Sequence, residues 1–236
     1  MEQFFLISLT LVGGGFWVVF LGHMAWGYVW AVVFAGKRGG KLFVPAVLML
    51  AVLPDVDLFL GGFGVEHHTF THSLFFWFVL FVPFLAVYRG KVIPYFVAVV
   101  QHFAFGDFFV GEVMLFWPFS LSYFGFSTAM MSVFDVGLET VGLLLAAGFM
   151  YFNGDLKRLI SVSLDNVVMF FPLLALVTSM LFFAVDVPII PLVAHLLVSP
   201  VFATIVLAHI VLVVFLAVST VQGLRRLFSS GYNKLD

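Results

Sequence analysis

The chain has 236 residues, of which 64% are hydrophobic and 9% charged, with a mean hydropathy of +1.21 and a formal net charge of -2. Soluble domains average about 25% charged residues, so the composition excludes an ordinary soluble fold and predicts an all-α, polytopic transmembrane helical bundle. With no Cys there are no disulfides or thiolate ligands, and the 10 Lys and Arg, scattered in twos and threes, offer no nucleic-acid-binding surface.

In chain order, the start MEQFFLISLT lacks the basic region of a cleavable signal peptide. Gly13, Gly14 and Gly15 divide residues 1–15, a re-entrant or interfacial segment, from the first span; one long tilted helix from Phe4 is the alternative. Apolar stretches at roughly 16–36, 42–54, 70–88, 92–109, 128–152, 162–184 and 201–223 predict about seven spans. They form one integral membrane domain, 1–236, in which 22–120 carry the site and 121–236 add further helices. KRGGK at 37–41, RGK at 89–91 and NGDLKR at 153–158 break the apolar runs, as do Pro188 and Pro191. Basic loops stay in the cytoplasm, which puts these loops, together with Arg225, Arg226 and Lys234 of the C-terminus, on the cytoplasmic face. The protein is then an integral protein of the cytoplasmic membrane, with loops 55–69, 110–127 and 185–200 outside.

The outer side collects the ionisable residues. LPDVD carries Asp55 and Asp57, which point the same way if the backbone there is extended. EHHTFTHS carries Glu66, His67, His68 and His72, with Thr69 or Thr71 available to cap the next helix. His102 and Asp107 sit near the outer end of the fourth span, and His23 reaches the same leaflet from the first. Ionisable groups in or near hydrocarbon cost several kcal/mol each unless paired or metallated. The expected ligands are therefore His23, Asp55, Asp57, His67, His72, His102 and Asp107. They would hold one to three divalent ions, zinc first and Mn or Mg as alternatives. Bound ions would activate water, Asp55 or Asp57 would bridge them, and Glu66 or Glu112 would serve as general base or acid. Asp135 and Glu139, at i and i+4 inside the fifth span, are candidates to support the ligands from behind or to relay protons. His195 and His209 read as structural or core histidines. The aromatic loop 115–126 is either a lid or an interfacial belt.

Taken together, Gly22-His23, Leu53-Pro54-Asp55-Val56-Asp57, His67 to Ser73, His102 with Asp107, and Trp117-Pro118 resemble the LexA-regulated, YdjM-type family of membrane-bound metal-dependent hydrolases. The resemblance covers roughly residues 22–120. It implies a distant similarity to the zinc-dependent phospholipase C and nuclease superfamily, hence cleavage of a phosphoester in a lipid or other amphiphilic substrate. Two positions depart from the family pattern. His68, expected to support the ligands from behind, stands where the family has Arg, which would remove a fixed positive charge from the substrate pocket, and His102 is five residues from Asp107 instead of four, which a bulge near Gly106 would correct. Two other classes remain open: a ceramidase-like zinc amide hydrolase, and a transporter coupled to metal ions or protons. No HExxH is present for a metalloprotease. Membrane lipid is the expected partner, and homo-oligomerisation is left open.

Overall fold

The computed structural model describes residues 20–36, 41–60, 63–128, 132–186 and 200–232. Among them the chain is helical: the backbone pairs in β fashion only in an isolated bridge between Val113 and Phe124. The expectations for residues 1–15 and for His195 lie outside the described residues. Three helical runs are long and apolar enough to cross a bilayer: Leu74–Val110 (37 residues), Val133–Asn153 (21) and Val206–Ser229 (24). Phe20–Ala35 and Leu164–Thr178 are shorter apolar helices.

The chain divides into two compact units. The one formed by Gly22–Lys157 holds helices α1 (Phe20–Ala35), α2 (Val44–Leu50), α3 (Leu74–Tyr88), α4 (Ile93–Gln101), α5 (Phe108–Val110) and α6 (Val133–Asn153). The run Leu74–Val110 is folded back on itself: the rings of Phe81 and Phe96 lie 5.2 Å apart, whereas 15 residues of continuous helix would separate them by about 22 Å. The reversal falls at Arg89–Val92, where Arg89 has φ 53 and Gly90 follows. Trp77, Phe81, Val92, Val99, Phe103 and Val113 fill the core between the two arms.

Helix α2, expected to be a span over 42–54, has only seven residues before the backbone tightens into a 3₁₀ helix, Leu53–Phe59. Pro54 suits this break, since it fixes φ at the first turn and donates no hydrogen bond. Asp55 and Asp57 are consequently not on an extended strand. At about 120° per residue, side chains two apart on a 3₁₀ helix diverge. The cap of α3 also differs from expectation: Ser73, not Thr69 or Thr71, accepts from Phe76 N.

Helix α6 begins at Ser132, whose hydroxyl accepts from Asp135 N, and ends at Gly154 in the left-handed region (φ 71). It lies close against α1. The indole of Trp26 donates to Leu138 O at 3.1 Å, a Cβ on Gly142 would collide with that ring, and one on Gly22 would meet Glu139 Oε1 at 2.6 Å.

The other unit contains α7 (Asp155–Leu159) from Arg158 onward, α8 (Phe170–Asp186) and α9 (Pro200–Tyr232). Buried Asn166 donates to the carbonyls of Arg158, Leu159 and Ser161, and Gly223 lets α9 approach the backbone at Val167. His209 is fully buried on α9.

Candidate metal centre

Four short segments of the Gly22–Lys157 unit bring histidines and aspartates together. α1 supplies His23 and the 3₁₀ helix Leu53–Phe59 supplies Asp55 and Asp57. The segment before α3 supplies His67, His68 and His72, and the end of the α4 arm supplies His102 and Asp107.

The local backbone explains the last pair. Residues His102–Asp107 form a π-helix. The wider π turn aligns residues five apart, and π-bulges recur at functional sites. His102 Nε2 accordingly lies 3.3 Å from Asp107 Oδ2. Gly106 stands inside this turn because no side chain fits there: a Cβ would fall 2.1 Å from His23 Cε1. The His23 ring then stacks on that of His102, with centroids 3.8 Å apart.

The nitrogens and oxygens converge on one another. His23 Nε2 is 3.1 Å from Asp107 Oδ1, and His72 Nε2 is 3.2 Å from Asp107 Oδ2 and 3.7 Å from Asp55 Oδ1. His102 Nε2 is 3.1 Å from Asp55 Oδ1. His23, His72, His102, Asp55 and Asp107 are all buried, yet His23 Nε2, His72 Nε2 and Asp107 Oδ2 have no properly directed hydrogen bond. His102 Nδ1 is 2.8 Å from Ala51 O, the geometry in which Nδ1–H donates to the carbonyl and the Nε2 lone pair faces the carboxylates. Imidazole nitrogens and carboxylate oxygens converging on one buried point suit a cation.

Asp57 works from the opposite side. Its carboxylate, fully buried, accepts from His67 Nδ1 at 2.8 Å and from Thr71 Oγ1, and His72 Nδ1 is 3.2 Å away. The divergence of Asp55 and Asp57 on their 3₁₀ helix thus puts a carboxylate at each nitrogen of His72, Asp55 near Nε2 and Asp57 near Nδ1. Burial alone would raise the Asp57 carboxyl, but hydrogen bonds from His67 and His72 hold it below the usual carboxylate range.

His68, expected to support the cluster from behind, lies beside His67 and His72. Its ring lies 3.9 Å from that of His67 and 4.9 Å from that of His72. Its backbone is in the left-handed region (φ 65), and its carbonyl accepts from Met114 N. Burial, with some contribution from His67 and His72, pushes the His68 imidazole down to about 4, so it is uncharged at neutral pH.

Four overlapping groups can hold a metal ion: His23, His102 and Asp107; Asp55, His72 and His102; Asp55, Asp57 and His67; and His67, His68 and His72. In each, the ligand atoms lie within 4.8 Å of one another. All seven expected ligands are therefore drawn together, joined by His68. Glu66 and Glu112 are not among these groups: both are exposed, and Glu112 accepts from Ser127 Oγ at 2.9 Å. Asp135 and Glu139 are outside them too, although Glu139 touches Gly22, the neighbour of His23.

Sequence reasoning passed over several supporting residues. Gln101 Nε2 donates to His23 O at 3.0 Å, and the Trp77 indole donates to Thr71 O at 2.6 Å. Ser73 Oγ donates to Trp117 O at 2.6 Å. A polar Gln next to a His in an apolar helix was the available signal for the first; the second joins residues six apart across the start of α3, and the third depends on a contact between distant segments.

The fold and site define a helical protein with membrane-length apolar helices and a buried His/Asp cluster able to hold a metal ion. Comparison with known families, curated proteins and solved structures finds no match for this chain.

Proposed function

We propose that this chain is a seven-span membrane protein and a metal-dependent hydrolase that cleaves a phosphoester of a lipid or amphiphilic substrate. In this reading the basic loops are cytoplasmic and the cluster opens toward the extracytoplasmic side. The observation that carries it is the convergence of buried His and Asp atoms around His72 and His102, among which His23 Nε2, His72 Nε2 and Asp107 Oδ2 have no hydrogen-bond partner. Support also comes from the motifs shared with the YdjM-type hydrolases over roughly residues 22–120.

His23, His72, His102, Asp55 and Asp107 would surround one ion, and His67 and His68, with Asp57 behind His67, would face a second. Mixed imidazole and carboxylate ligands suit zinc, with manganese or magnesium as substitutes. When bound, such ions supply Lewis acidity and an activated water. The chain's own residues do the rest. Asp57 orients the imidazoles of His67 and His72, as carboxylates behind metal-bound histidines commonly do. His67, whose side chain is 32% exposed, and uncharged His68 form the accessible side, where substrate oxygens would be received. Glu66 and Glu112, exposed beyond them, are the candidates for proton transfer with solvent.

The number of carboxylates favours phosphoester over amide chemistry, because three histidines and one aspartate suffice for a ceramidase-like site. An amphiphilic substrate fits the exposed apolar loop that follows α5, in which Phe119 is 76% and Leu121 68% accessible.

The test is metal analysis of the purified protein beside His102→Ala and Asp55→Ala, with phospholipid and acyl-amide turnover measured in detergent. Stoichiometric metal and phospholipid turnover, both lost in the variants, are expected. Acyl-amide turnover alone would move the protein to the ceramidase-like class. Metal flux into liposomes without turnover would make it a transporter, and full metal retention in both variants would remove the centre.

A further inference from the structure

A cavity lies among other residues of the same unit. It encloses about 520 Å³, within the range of small-molecule sites. The end of α1, the segment leading into α2, and the turn joining α3 to α4 line it. Its walls are largely aromatic: Phe34, Phe43, Phe84 and Tyr88 all contribute, and all are substantially exposed. Tyr95 also lines it and fixes its shape, since its hydroxyl accepts from Phe43 N at 2.9 Å.

Two cations, Lys41 and Lys91, line this otherwise apolar space. Both are exposed, and among the described residues no ion pair engages either one. Ammonium groups beside exposed aromatic rings, at the ends of apolar helices, complement a molecule with a negative head and a hydrocarbon body. A soluble anion would use the lysines and leave the rings without a partner; a zwitterionic lipid would use the rings and gain little from two positive charges. We infer that this cavity binds an anionic phospholipid, its phosphate on Lys41 and Lys91 and an acyl chain along the Phe34, Phe84 and Tyr88 rings. The site is separate from the metal centre and shares no residue with it.

The test is native mass spectrometry of the full chain released from a neutral detergent, titrated with phosphatidylglycerol or with phosphatidylcholine of the same acyl chains. The first phosphatidylglycerol should bind roughly 30-fold more tightly than phosphatidylcholine, as expected for two lysines near a lipid surface. That preference should vanish in the Lys41→Gln, Lys91→Gln double variant and persist in Lys41→Arg, Lys91→Arg. Inorganic phosphate should not compete at millimolar concentration. Equal binding of the two lipids, an undiminished preference in the Gln variant, its loss in the Arg variant, or displacement by inorganic phosphate would each overturn the assignment. The metal centre does not enter this readout, so failure here is distinguishable from failure of the hydrolase reading.

Discussion

His102 and Asp107 are five residues apart and still face each other at 3.3 Å, because the backbone between them is a π-turn. An α-helix would rotate such a pair apart and align residues four apart instead. Deleting Ala104, whose side chain is exposed, should let this stretch revert to an α-helix while keeping His102 and Asp107 on one face. Metal content is expected to survive the deletion, whereas inserting one more residue there should abolish it. Metal-to-protein ratios of the two variants check this, and loss in both would mean that the π geometry itself is required.

Gly106 is the counterpart test. Even the methyl of Gly106→Ala would overlap the His23 ring, which is held by its stack on His102. Overpacking of this kind costs about 1–3 kcal/mol and displaces ligands. Gly106→Ala is expected to bind metal at least tenfold more weakly, as read by competition with a chelator. Gly137→Ala, at a position with open space around it, should bind as the parent does.

Asp57 separates orientation from ligation. Asp57→Asn preserves volume but presents an amide to His67 and His72, and loss of such a carboxylate behind metal-bound histidines lowers affinity by roughly 10–100-fold. Asp55→Asn, which removes charge from the inward side, is expected to cost more. An Asp57→Asn variant weaker than Asp55→Asn would reverse the two roles.

The metal-free protein should lose stability as pH falls from about 6.5 toward 4. Burial depresses the folded-state pKa of His68 to about 4, so between these values the unfolded chain binds the proton more readily. The stabilisation is present above about 6.5 and is lost as the pH drops. Asp57 adds a second loss below about pH 4, because its folded-state pKa is also depressed. Thermal unfolding in chelator across pH 7 to 4 should show the first effect as about 1–2 kcal/mol, allowing for the partial exposure of His68. His68→Gln should flatten that part of the curve.

The exposed glutamates should matter little for assembly. Glu66→Gln and Glu112→Gln are expected to keep full metal content. Turnover in one of them should fall by about tenfold or more, the usual contribution of a proton-transfer group being about 100-fold or greater. Unchanged turnover in both would leave proton transfer to the histidines.

Much of the helical order was legible. Hydropathy places the fifth helix at 128–152, and it is observed at Val133–Asn153, with the expected stop at Gly154. The residues that cluster were legible as well, because ionisable side chains in an apolar chain are few and costly. Their geometry was not. That Asp55 and Asp57 straddle His72 depends on a 3₁₀ helix where an extended backbone was expected, and sequence alone does not distinguish the two after a proline. His68 was expected behind the ligands; its place beside His67 and His72, on a left-handed backbone, is not written in the local pattern. The lone pair of His102 is aimed by a carbonyl 51 positions away, a contact that no local pattern encodes.

The segment after α5 is sewn to the centre at three places: Met114 N to His68 O, Leu74 N to Leu115 O, and Ser73 Oγ to Trp117 O. A flap must detach in order to open, and this one is stitched at Met114, Leu115 and Trp117 to the backbone that carries the histidines. Residues 114–117 are therefore anchored in place, and in the proposed hydrolase the exposed rings beyond them would meet an amphiphilic guest sliding in the plane of the bilayer.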